Sequence, residues 1–170
     1  MANICSVRMR IAAKDAKAIP EFIEDVRDNG DFRVYSGVFT KHMDEEDFDP
    51  SLVQDIDGVC AYDVTFSVAW SFVTAFEDDG VNKMFGKEPA REKFFHEFCK
   101  DHGVGIEAYS EESGIGFEEH YVIAPSGQIV EDEVMDMSEA YDEAEGDWIK
   151  MGGFGDPDFM TPKEILEATR

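Results

Sequence analysis

The sequence predicts an α+β fold: one antiparallel sheet with two helices on one of its faces. Three observations carry the prediction. Residues 104–123 (VGIEAYSEESGIGFEEHYVI) alternate apolar and polar on both sides of a glycine-containing turn, which is the period of a β-hairpin. Two other segments switch to helical spacing. A long acidic tail then follows, in which that alternation between core and surface is no longer evident.

The elements follow in order. From Asn3 to Ile11, Cys5, Val7, Met9 and Ile11 fall on one side, with Ser6, Arg8 and Arg10 on the other. That pattern is a half-buried strand. Between Asp15 and Asn29, Ile19, Phe22, Ile23 and Val26 form one helical stripe. Asp15 can cap a start there, whereas Pro20 favours a start near Ala18, since an interior proline costs about 3 kcal/mol. Asn29-Gly30 supplies the stop. Phe32 to Thr40 reads as a second strand with a bulge at Gly37. His42 to Gly58 is acidic, contains Pro50 and reads as a loop. Val59 to Phe76 is a long strand-like run that bends or breaks near Ser71, with Cys60, Tyr62, Val64, Phe66, Val68, Trp70 and Phe72 on its core side. Glu77 to Pro89 is a polar connection. Pro89 to His102 is a helix whose stripe is Phe94, Phe95, Phe98 and Cys99, stopped by Gly103. On the return strand of the hairpin, Phe117, Glu119, Tyr121 and Ile123 share a face, while Glu118 and His120 face away. Pro125-Ser126-Gly127 turns the chain, and Gln128 to Val130 adds a short strand.

The resulting β-α-β-β-α-β order is the split β-α-β, ferredoxin-like arrangement. It gives a domain over residues 1–130. Residues 131–170 are expected to be an acidic appendage with short helices, one at 138–145 capped by Ser138 and one at 162–168. The latter follows from Thr161-Pro162-Lys163-Glu164, a capping box with proline at the first helical position. The tail either docks through Trp148, Phe154 and Phe159 or stays mobile.

Composition narrows the function classes. The chain has 170 residues, 43% of them hydrophobic and fourteen of them Phe, enough for a packed core. Its formal charge is −24, from 39 acidic and 15 basic residues. That field repels nucleic acid and anionic membranes and attracts basic proteins. Cys5, Cys60 and Cys99 show no CxxC or zinc spacing and read as buried free thiols, which suits the cytoplasm. No run reaches membrane-spanning length. No P-loop, GxGxxG or GxSxG motif is present, so no cofactor is expected. The Cys99 thiol belongs to an apolar stripe, which argues against a catalytic pair with His96. Phe66, Trp70 and Phe72 read as core rather than as a base-stacking platform, because basic residues are sparse and scattered.

Ser110-Glu111-Glu112-Ser113-Gly114-Ile115-Gly116-Phe117-Glu118-Glu119-His120-Tyr121 resembles a motif of YubB-like proteins, which are encoded by plasmids and phages. Ala69-Trp70-Ser71 and the opening Ala2-Asn3 with Cys5 are similar as well. Ile4 stands where the family has Trp, and the acidic tail lies outside the match. The resemblance implies a ferredoxin-like fold and a mobile-element setting. It implies no catalytic residue, because the family has no settled activity.

Two functional readings follow. The first is a non-enzymatic acidic protein that binds a basic surface, in the manner of a DNA mimic. Duplex DNA carries one charge per ~1.7 Å of axis, and a run of carboxylates can copy such a density. Glu131, Asp132, Glu133, Asp136, Glu139, Asp142, Glu143, Glu145 and Asp147 would carry the contact, helped by Glu111, Glu112 and Glu118. The bland alternative for this tail is a solvated run. The second reading is a small metal-binding or hydrolytic domain built on Glu112, Glu119 and His120, since a Glu/His set can hold a divalent cation and activate water. The spacing matches no metal signature, and internal hydrogen bonds of Glu119 and His120 are the structural alternative. The oligomeric state stays open.

Overall fold

The computed structural model describes residues 4–30, 32–40, 48–76, 93–112, 114, 116–142 and 146–169. Among them lie eight strands: β1 (Ile4–Ala13), β2 (Val34–Ser36), β3 (Gln54–Ile56), β4 (Val59–Ala69), β5 (Gly105–Glu112), β6 (Phe117–Ile123), β7 (Ile129–Asp142) and β8 (Asp147–Gly152). The described helices are α1 (Ala18–Asn29), α2 (Phe72–Phe76), α3 (Phe95–His102) and α4 (Pro162–Glu167). The strands run in the order β2-β4-β1-β5-β6-β7-β8, with β3 also paired to β4, and every pairing is antiparallel.

This corrects the expected fold class. The molecule is a mostly antiparallel, eight-stranded sheet curled into a half-barrel with few, short helices, rather than a ferredoxin-like sheet with two helices on one face. The physical reason lies in the acidic segment. A helix over 138–145 would place Glu139 four residues from Glu143 and Asp142 three from Glu145, and like charges at those spacings destabilise a helix. The turn at Pro125-Ser126-Gly127, with Gly127 at φ +80°, instead returns the chain along β6. Strand pairing then satisfies the backbone and sends successive carboxylates to opposite sides. β7 therefore runs on past position 130, with a bulge in its pairing to β6 at Val130.

Other elements sharpen the reading. α1 begins at Ala18, which leaves Pro20 in the first turn, where no intrahelical N–H is required. The long strand ends at Ala69. Trp70 adopts φ +71°, and the chain continues as α2. That turn also removes Trp70 from the core; its side chain is exposed. β3 lies in a segment that reads as loop, joined to β4 by Asp57 (φ +55°) and Gly58 (φ +82°). Two left-handed residues make the hairpin turn that Asp-Gly favours. The start of the predicted helix at Pro89, the connection 77–89 and the first part of the loop at 42 lie outside the described residues.

Cys5, Val7, Met9 and Ile11 of β1 meet Ile19, Phe22, Ile23 and Val26 of α1 and Phe95, Phe98 and Cys99 of α3 in one core. Phenylalanines fill it with edge-on and tilted contacts; Phe76 and Phe95 lie 4.4 Å apart and Phe39 meets Phe66 at 5.2 Å. Among the described residues the core face buries two carboxyl groups: Glu112 at the end of β5, and Glu119 at a hinge described below. The other face of the sheet is polar and is covered in part by residues 153–160. α4 anchors the end of that cover: Ile165 packs on Ala12 and Val59, and Thr161 and Glu164 form the predicted capping box. No described helix is long and apolar enough to cross a membrane.

Candidate binding surface

The polar face of the sheet is built by strand register. β1 sets Arg10 between Asp63 of β4 and Glu107 of β5, and Arg8 between Thr65 and Tyr109. Across β5 and β6, Tyr109 opposes His120 and Glu111 opposes Glu118. β7 adds Glu133 opposite His120 and Glu131 opposite Val122.

Most of these groups are spent on holding the molecule together. Glu107 is 1% exposed. Its Oε1 meets His120 Nε2 at 3.0 Å and accepts from the Tyr109 hydroxyl at 3.2 Å, while its Oε2 accepts from the Met160 amide at 2.6 Å. His120 Nδ1 lies 3.1 Å from Glu131, so an imidazolium can donate to both carboxylates at once. Tyr109 and His120 stack at 4.2 Å, and Phe154 and Phe159 meet the stack edge-on. Burial, helped by the nearby Glu107 carboxylate, pushes the Tyr109 phenol up to about 12. Arg10 grips Asp63 through two bonds of 2.8 and 2.7 Å, donates to the Met160 carbonyl and lies over the Phe159 ring. Glu118 accepts from the Phe154 amide.

Glu119 points the other way, into the core. It is 2% exposed and accepts from the Phe72 amide at 2.7 Å and the Ser110 hydroxyl at 2.5 Å. The carboxylate thus closes the hinge between β4 and α2. Burial raises its carboxyl above the usual range, and the hydrogen bonds from Ser110, Phe72, Val73 and Ser71 pull it partly back. Burial also pushes the neighbouring Cys5 thiol up to about 12, which leaves it a neutral core group. Cys99 is buried and Cys60 half-buried, all three as free thiols.

The structure therefore separates His120 from the two glutamates of the metal reading, which share the core face. Glu119 and His120 lie on opposite faces of β6, and Glu112 is buried with its Oε1 on the Gly114 amide at 3.1 Å. Among the described residues, no group of three or more His, Cys, Asp or Glu side chains is arranged to hold a metal ion.

The acidic binding set divides in the same way. Glu112 and Glu118 are buried, and Glu111 is half-buried on the polar face. Glu131, Asp132, Glu133 and Asp136 lie in an unbroken exposed run, residues 131–136 of β7. Glu139 and Asp142 extend β7, and Asp147 opens β8 opposite Asp142. Glu143 and Glu145 lie outside the described residues. Glu131 and Glu133 share one face, Asp132 and Asp136 the other. Neither face of this strand is covered, so the carboxylates edge a ridge. Sequence reasoning missed the role of Glu107, whose signal was an acid alternating with apolar residues in a strand opposite Arg10.

Comparison with protein-family models, with curated proteins and with solved structures finds no match to this chain.

Proposed function

We propose that this chain is a non-enzymatic acidic binding protein that engages a basic protein surface of the kind that ordinarily holds nucleic acid. The observation behind the reading is the exposed run on β7, with Glu131, Asp132, Glu133 and Asp136 on an uncovered ridge. A strand advances about 3.3 Å per residue, close to the ~3.4 Å per charge along one strand of duplex DNA. Glu131, Asp132 and Glu133 are consecutive and alternate between the two faces, so the face with Glu131 and Glu133 carries one charge per ~6.6 Å, roughly half the density of one phosphate backbone. Glu139, Asp142, Glu143, Glu145 and Asp147 extend the same acidic stretch. The net charge of −24 adds long-range steering toward a cationic partner.

The likeness to YubB-like proteins of plasmids and phages agrees with this role, because a mobile element gains from occupying host proteins that grip DNA. That step is an analogy of setting. The free thiols fit action in the cytoplasm.

The test is capture of partners from a bacterial lysate on the immobilised chain at low and at raised salt, followed by competition with duplex DNA. A basic nucleic-acid-binding protein that is retained at low salt, released by salt and displaced by DNA supports the reading. The quadruple variant E131Q/D132N/E133Q/D136N should lose that capture while keeping its fold. Capture that ignores salt and the four substitutions defeats it.

A further inference from the structure

Two arginines, two residues apart on one face of β1, have opposite fates. Arg10 is held by Asp63, the Met160 carbonyl and the Phe159 ring. Arg8 makes no hydrogen bond or ion pair among the described residues, and it is exposed. Register explains the contrast: the residues directly beside Arg8 are the neutral Thr65 and Tyr109, whereas those beside Arg10 are Asp63 and Glu107. In a chain with 39 acids and 15 bases, an unengaged guanidinium on a walled face is a group waiting for an anion.

Arg8 lines a groove of ≈ 220 Å³ between the sheet and the covering segment. Thr65 and Tyr109 of the sheet, the carboxylates of Glu111 and Glu118, and Gly155 and Pro157 of the covering segment share its lining. The adjoining hollow adds Asp156 beside the same Arg8, Glu111 and Glu118. The volume is below the roughly 300–1,000 Å³ of drug-sized pockets, so the occupant is small. A plain anion would meet the guanidinium but also three carboxylates. A plain cation would meet the carboxylates but also Arg8. A molecule with both charges satisfies both. Glu111 sits diagonally from Arg8 on the next strand, and such neighbours have Cα atoms roughly 7–8 Å apart. An α-amino acid carries a carboxylate and an ammonium separated by a single carbon, the two charges that this lining can meet.

We infer that this groove is a binding site for a free α-amino acid. The ligand carboxylate takes the Arg8 fork, its ammonium faces Glu111 and Glu118, and its side chain extends along the wall at Pro157. This site is independent of the acidic ridge on β7.

The experiment is a ¹H–¹⁵N NMR titration of the full chain with the common L-amino acids, each at millimolar concentration. Every responding amino acid is repeated as its N-acetyl derivative, which lacks the cation, and as its methyl ester, which lacks the anion. Saturable shifts of the amides around Arg8, Thr65, Tyr109 and Gly155, lost with both derivatives, are expected. R8Q should weaken the response about tenfold to a hundredfold, as removal of a charge-assisted contact does, with R8K recovering part of it. R8Q should melt with the parent protein, because Arg8 makes no hydrogen bond or ion pair among the described residues. No response to any amino acid, an equal response to the acetylated or esterified form, or full binding by R8Q would overturn the assignment.

Discussion

The two faces of the sheet are built from the same strands and held by different forces. On the helix-covered face, residues two apart along each strand are mostly apolar and close on α1, α2 and α3, with Glu112 and Glu119 as the acids buried there among the described residues. On the opposite face the same alternation sets down charges and hydroxyls, and stability there comes from their pairing with a segment 36 to 150 residues away in sequence: Glu107 with the Met160 amide, Arg10 with the Met160 carbonyl, Glu118 with the Phe154 amide. The comparison teaches that a polar sheet face need not be solvated. A mobile-looking tail rich in Gly and Phe can roof it, provided buried carboxylates accept the tail's backbone N–H groups. A buried donor left without a partner costs about 1–3 kcal/mol.

Substitutions on each face should separate the two kinds of support. The largest loss belongs to the apolar face. Phe95→Ala removes a fully buried ring that touches Phe22, Phe32, Phe39, Phe72 and Phe76, and should cost about 3–5 kcal/mol in denaturant unfolding. Glu119→Ala comes next, at about 3 kcal/mol, because it strands the Phe72 amide and the Ser110 hydroxyl in the core. A loss below a tenth of that would show the hinge closing without its carboxylate.

On the roofed face, Glu107→Gln should cost about 1–2 kcal/mol globally. Its distinctive effect is local: the Met160 amide should lose protection in hydrogen exchange before the core strands do. Loss of protection across both faces together would mean that the roof and the core unfold as one unit. The phenol supplies a pH test of the same region. Tyr109 is raised in the folded chain from an ordinary 10.0 to about 12, so its contribution is complete below pH 10 and is lost as pH rises toward 12. Tyr109→Phe should flatten stability across that window. The smallest effect is expected on the exposed ridge: Glu133→Gln should change stability by less than about 0.5 kcal/mol while weakening the salt dependence of partner capture.

Much of the apolar face was legible in the residues. The β1 alternation, the stripe of α1, the apolar residues of α3 and the capping box of α4 all depend on neighbours within one or two turns, and local periodicity reports them directly. The Asp57-Gly58 turn was passed over, because the acidic surroundings from His42 to Gly58 read as a loop, although Asp-Gly is a local hairpin signal. The acidic strand β7 was not legible. Its exposed residues on both sides give no alternation to detect, and only pairing with β6 makes it a strand. The division of the hairpin carboxylates into core, roof contact and surface was equally hidden, since adjacent acids look alike until a partner from elsewhere in the chain claims one of them.

By itself, then, the sequence determined the repeating apolar positions, the helix ends and the heavy negative charge, because each is a property of residues close together along the chain. Only the tertiary structure decided which carboxylates are buried and which remain on the surface, and why Arg10 is clasped while Arg8 stands open. Those outcomes depend on strand register and on the return of residues 153–160, which bring together groups that are distant in sequence.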